Sequence, residues 1–247
     1  MSEATVEPRS GLLNVVDVVI APSTAFARLR VVPTWGWAFL VAALLAIAGS
    51  LLTQPAVMHA IATGMPAQLA ASPAIARLPA AQQAHVVQQQ LAIFRFIAQF
   101  GWLFVPLWIL LAGVVQALVM TVANAVAKGD GSFGKYFALS VTVAVVGLGL
   151  ASLVTALIVM LRGTGSFDDM KAIQSAVPSL ALLAPGAHGA LRGFLEALSA
   201  FNLWATALLA LGMTIVGRIP RTAAWTTAVL MLLVTALAAA YGASQQG

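Results

Sequence analysis

The chain has 247 residues, 61% of them hydrophobic and only 8% charged, with a formal net charge of +5 and no cysteine. A soluble domain carries roughly 25% charged residues, so this chain cannot cover its outside in water, and lipid must be its solvent. Disulfides and thiolate metal sites are excluded, and the few dispersed Lys and Arg form no stripe that would track nucleic-acid phosphates.

Residues 1–34 read as an N-terminal segment at the cytosolic membrane surface. In GLLNVVDVVI (11–20), Asp17 interrupts the apolar run, and Pro22 ends it. Glu3, Glu7 and Asp17 argue against a signal peptide, whose n-region is basic and whose h-region is apolar. After Pro22, Ser23 and Thr24 can cap a second short helix. That helix sets Phe26 and Leu29 into the interface and turns Arg28 and Arg30 toward anionic headgroups. Packing on the inner face of a bundle is the alternative, and the two are compatible.

Residues 35–241 form an all-α, polytopic membrane domain. Five apolar runs approach or exceed the roughly 18–20 residues that span a bilayer as helix: about 35–52, 98–120, 137–161, 199–216 and 224–241. None contains Asp, Glu, Lys or Arg, and a short outer tail, 242–247, follows. Arg9, Arg28, Arg30, Lys128, Lys135, Arg218 and Arg221 fall in short segments on one side of this pattern. Arg77, Arg95, Arg162, Lys171 and Arg192 are spread over two long connections on the other. The positive-inside rule then puts the N-terminus in the cytoplasm and the C-terminus outside. Trp35, Trp37, Tyr136 and Trp225 at the inner ends, with Trp102, Trp204 and Tyr241 at the outer ends, read as interfacial belts.

The two long connections are helical by pattern. Pro79 opens a helix whose Ala84, Val87, Leu91, Phe94 and Ala98 form an apolar stripe. In the second connection Ser166 and Asp169 have capping-box spacing, and Phe167, Met170, Ile173 and Val177 face one way. Further on, Leu191, Phe194, Leu198 and Phe201 share a stripe, with Arg192 and Glu196 paired at i,i+4. These faces need apolar cover, either the outer interface or the bundle itself.

Residues 127–136, AKGDGSFGKY, contain Gly129, Gly131 and Gly134 at G-x-G-x-x-G spacing. A dinucleotide loop needs a strand before it, a helix after it and an acid about 20 positions on. Membrane helices flank this stretch and no acid follows, so it reads as a tight turn between spans, favoured by Asp130.

Catalysis needs converging titratable groups. His59, His85 and His188 lie apart in the long connections, and adjacent Asp168 and Asp169 point in different directions. No enzymatic activity, cofactor or metal site is expected. Inside the spans the polar inventory is mild. Gln99, Gln116, Thr155 and Asn202 are the candidates for a polar path, while such residues also bridge helices. Pro106 should kink its helix and free a carbonyl for a neighbour's hydroxyl. Ala42, Ala46, Ser50, Gly147 and Ala151 allow close helix contact.

Three stretches carry a family resemblance: P-x-x-x-F at Pro22 to Phe26 followed by Arg28, Leu29, Pro33 and Trp35; the turn Gly129 to Phe133 leading into Tyr136; and LEALSAFNLWATALLALGM (195–213) followed by a basic turn and Trp225. On these the chain resembles bacterial members of the YIP family, five-span membrane proteins named for eukaryotic members that interact with Ypt/Rab GTPases. The D-L-Y-G-P-type motif of those eukaryotic members is absent here. The resemblance implies a cytosolic N-terminus, no enzymatic activity and action through partner proteins. Some bacterial relatives stand beside ABC-type export systems that include a periplasmic adaptor.

The expected function is therefore that of a non-enzymatic inner-membrane protein binding other membrane proteins, or a second copy of itself, with membrane lipid around it. Pro22, Phe26, Arg28, Leu29 and Arg30, and the outer residues Leu91, Phe94, Leu191 and Phe194, are the candidate contacts. Transport of a small solute and lipid binding or membrane shaping are the alternatives.

Overall fold

The structure, a computed structural model, describes residues 11–244. Glu3, Glu7, Arg9 and the last three residues of the tail, 245–247, lie outside the described residues. Within them the regular structure is helical, and the one extended pairing is an isolated bridge between Ser179 and Ser199. The helices are α1 (Gly11–Ile20), α2 (Pro22–Val31), α3 (Gly36–Thr63), α4 (Met65–Ala70), α5 (Pro73–Ala76), α6 (Ala80–Phe100), α7 (Val105–Val126), α8 (Phe133–Ala144), α9 (Ala151–Arg162), α10 (Met170–Gln174), α11 (Gly189–Ala197), α12 (Ala200–Val216) and α13 (Arg221–Ser244).

Four stretches are long and apolar enough to cross a membrane: Gly36–Thr63, Ala80–Val126, Phe133–Arg162 and Arg221–Ser244. At 17 residues α12 is apolar but shorter; it measures about 25 Å against roughly 30 Å of hydrocarbon. The first span runs well past its expected end at 52, carrying Pro55 inside the helix.

Two long stretches change helix type. Residues Gly101–Phe104 form a 3-10 turn between α6 and α7. Pro106 has no N–H for the carbonyl of Trp102, and the Val105 N–H takes that carbonyl in the tighter turn. The Gln54 amide reaches the carbonyls of Ala98 and Gln99, each at 3.2 Å. The backbone and an amide thus satisfy this region, where a hydroxyl was expected. Between α8 and α9, Val145–Leu150 forms a π-helix.

The chain divides into two compact units. The first comprises Met1–Ala46, Pro106–Ala151 and Ala200–Thr235. Here α2 packs on α1, α8 and α12, and Phe26 and Leu29 of α2, Val18 of α1, Leu139 of α8 and Met213 of α12 are all fully buried. The π-helix lies against α12 and α1, and a Cβ on Gly147 would meet Ala205 at 3.0 Å. Gly149, rather than Gly147, faces α3, where Ala42 and Leu45 approach it.

The second unit comprises Ile47–Val105, Ser152–Ser199 and Ala236–Gly247. It holds two cores. Ala56, Ala60, Val159, Phe167, Ile173 and Ala176 form one, with Met170 packed against it. Ile61, Ile75, Val87 and Leu91 form the other, joined by Ala98. The stripe expected on α6 is thus half right: Ala84 and Phe94 are exposed. Asp169, not Ser166, caps α10, accepting from the Ala172 N–H at 2.7 Å. The Ser166 hydroxyl instead donates to the Arg162 carbonyl.

Candidate functional site

Three places in the molecule gather polar or exposed apolar groups that the bare helix pattern does not explain. The first is the α1–α2 elbow. Pro22 opens α2 at its first position, with Ala21 as the cap residue and no side-chain cap, as a ring pre-set to helical φ allows. Ser23 and Thr24 are exposed and cap nothing. Arg28 turns back to α1, donating to Asn14 Oδ1 at 2.9 Å and pairing with Asp17 Oδ2 at 2.5 Å. The Arg28 and Asp17 side chains are 12% and 18% exposed. Arg28 is therefore committed within the protein, and Phe26 and Leu29 are sealed at 0% exposure. The expected placement of Phe26 and Leu29 in the lipid interface does not hold, and packing on the bundle describes this helix. Arg30 is half-buried.

The second place is the glycine turn. Asn124, near the end of α7, makes four side-chain hydrogen bonds. Its Nδ2 donates to the carbonyls of Gly129 and Gly131, and its Oδ1 accepts from the Gly131 N–H and, at 2.8 Å, from the Tyr136 hydroxyl. The Gly129 N–H donates to the Asn124 carbonyl, and the Asp130 N–H to the Gly217 carbonyl. Asp130 faces Arg218 at 3.5 Å.

A Cβ on Gly129 would run into Asn124, and one on Gly131 into the Tyr136 ring; only Gly134 has open space. The turn's N–H groups at 129, 130 and 131 are thus consumed internally, which leaves no cradle for a phosphate. Tyr136 is fully buried, so it belongs to this clamp and not to an interfacial belt.

The third place is a groove of about 540 Å³ in the first unit, lined by α7, α12 and α13. Its walls are apolar, and its polar members include Gln116 and Asn202. Of the four candidates for a polar path, these two come together. Gln99 and Thr155 belong to the second unit, where Gln99 is exposed and Thr155 half-buried.

The outer candidates separate in the same way. Leu91 is core, at 3% exposure, while Phe94 is open beside exposed Ile93, Phe96 and Ile97. On α11, Gly193 lies against Ala239 and Ala243 of α13, and Arg192 pairs with Glu196 at 2.8 Å. Phe194 is half-buried, whereas Leu191 is 57% exposed. Leu182 and Leu183, on a 3-10 turn that packs against α11, are 68% and 81% exposed. Together they make a leucine patch.

Among the described residues, no group of three His, Cys, Asp or Glu side chains comes together as a metal site. Sequence reasoning missed Asn14, Gln54 and Asn124. The available signals were an acid and a base (Asp17 and Arg28) in an otherwise apolar hairpin, and an amide just before a glycine-rich turn. Compared with protein-family models, curated proteins and solved structures, the chain matches none.

Proposed function

We propose that this chain is a non-enzymatic, five-span protein of the bacterial cytoplasmic membrane that binds other membrane proteins. In this reading α12 crosses the membrane as well, as the fourth span in chain order with Ser199 extending it by one residue, and the N-terminus is cytoplasmic. The leucine patch of Leu182, Leu183 and Leu191 carries the reading. Large apolar side chains exposed together on one of the long connections, beside a satisfied ion pair, mark a contact surface. The resemblance to the YIP family supplies the partner class, an ABC-type exporter with its periplasmic adaptor.

Gentle solubilisation of tagged protein from its native membrane, followed by mass spectrometry, tests the reading. Stoichiometric exporter subunits are expected, and Leu183→Ser with Leu191→Ser should reduce their recovery several-fold. Recovery of the chain with lipid alone would overturn it.

The five-span topology has its own check, because the chain has no cysteine. Single cysteines at Ser132 and Gln245 should react with a membrane-impermeant thiol reagent from opposite faces. Labelling of both from one face would remove a span.

A further inference from the structure

Gln116 lies midway along α7, half-buried and opening on the groove. Three other polar side chains there are occupied. Thr206 donates to the Asn202 carbonyl, Thr235 to the Met231 carbonyl, and Asn202 also has a partner. Among the described residues the Gln116 amide makes no hydrogen bond, and the one other open polar group on the groove is the Trp108 indole N–H, a donor only and 64% exposed. No charged residue lines the groove.

An unpaired amide in hydrocarbon costs several kcal/mol. Gln116 falls inside the expected span 98–120, four residues from its inner end, where acyl chains offer an amide no partner. A second protein helix does reach that depth. We propose that the groove is the contact between two copies of this chain, with the two Gln116 amides hydrogen-bonded to each other.

The geometry of a membrane favours this occupant. Two copies inserted in the same direction are related by a two-fold axis along the membrane normal, so each residue meets its equivalent at the same depth. A carboxamide carries both donor and acceptor, which makes it complementary to itself. Ala112, Ala205 and Ala228 on the groove walls permit close helix approach. Self-association here is independent of the partner-binding reading, since it needs no other polypeptide.

The cysteine-free chain gives a clean test by cross-linking in native membranes. Val115→Cys and, one turn away, Ala112→Cys keep the amide and should each form a disulfide-linked dimer under mild oxidation. Leu44→Cys, on α3 and 57% exposed, should stay monomeric. Adding Gln116→Leu to either groove cysteine should lower dimer yield about three- to tenfold, the range of an interhelical hydrogen bond in membranes. Absence of dimer at both groove sites overturns the proposal, as does equal dimer from Leu44→Cys. A yield unchanged by Gln116→Leu overturns the amide contact. A lipid or a different polypeptide retained in the groove without dimer would name another occupant.

Discussion

Asn124→Leu should be among the most damaging single substitutions in the protein, lowering stability by about 3–5 kcal/mol. The asparagine serves four hydrogen bonds at once. Leucine leaves the Gly131 N–H, two carbonyls and the Tyr136 hydroxyl without partners, and leaving buried polar groups unsatisfied costs more than a hydrogen bond gains. Tyr136→Phe removes one bond and keeps the other three, so about 1–2 kcal/mol is expected. Thermal unfolding in detergent reads the difference: a fall of roughly 10 °C for Asn124→Leu and a much smaller one for Tyr136→Phe. Equal effects would mean that the one bond from the tyrosine hydroxyl holds the turn and that the other three asparagine bonds add nothing.

The second large effect is expected at the elbow. Arg28→Ala leaves Asp17 as a largely buried carboxylate without its counter-charge. Breaking a buried pair costs about 3–5 kcal/mol, and the slight exposure of this one argues for about 2–3 kcal/mol. Arg28→Glu should be worse, because it sets two carboxylates together in the same apolar hairpin. Combining it with Asp17→Arg should recover a substantial part of the loss, and a double-mutant cycle measures the coupling. Protease sensitivity of the α1–α2 segment gives the local readout. Additive losses in the cycle would show that the two side chains act independently.

The spanning runs were legible because uninterrupted apolar sequence has few other uses in a chain with 8% charge. Their limits were not. TQPAVMHAIAT (53–63) reads as a loop by its proline and polar residues, yet α3 continues through it, because Ala56 and Ala60 are buried in a core with Phe167. Phe26 and Leu29 were legible as apolar positions, but hydropathy cannot tell lipid from protein as the phase that receives them. Only the tertiary packing of α2 on α12 and α8 decides that.

The same ambiguity misplaced Tyr136, whose amphipathic ring suits an interface and here spends its hydroxyl on Asn124. The paired polar candidates were half legible. Gln116 and Asn202 share a groove, while Gln99 is exposed on α6, since spacing along separate helices carries no information on which faces meet.

The π-helix at Val145–Leu150 has a bearing on descent. A π turn holds one more residue than the α turn it replaces, so this stretch amounts to a one-residue insertion absorbed without breaking the helix. Each α-helical residue turns the chain by about 100°. A surplus residue therefore resets which side chains beyond it share a face with those before it. A homologous chain lacking one residue in VVGLGL would keep both halves of the helix and show the difference as a single-residue gap here. Alignments that forbid gaps inside membrane helices would misregister every position that follows.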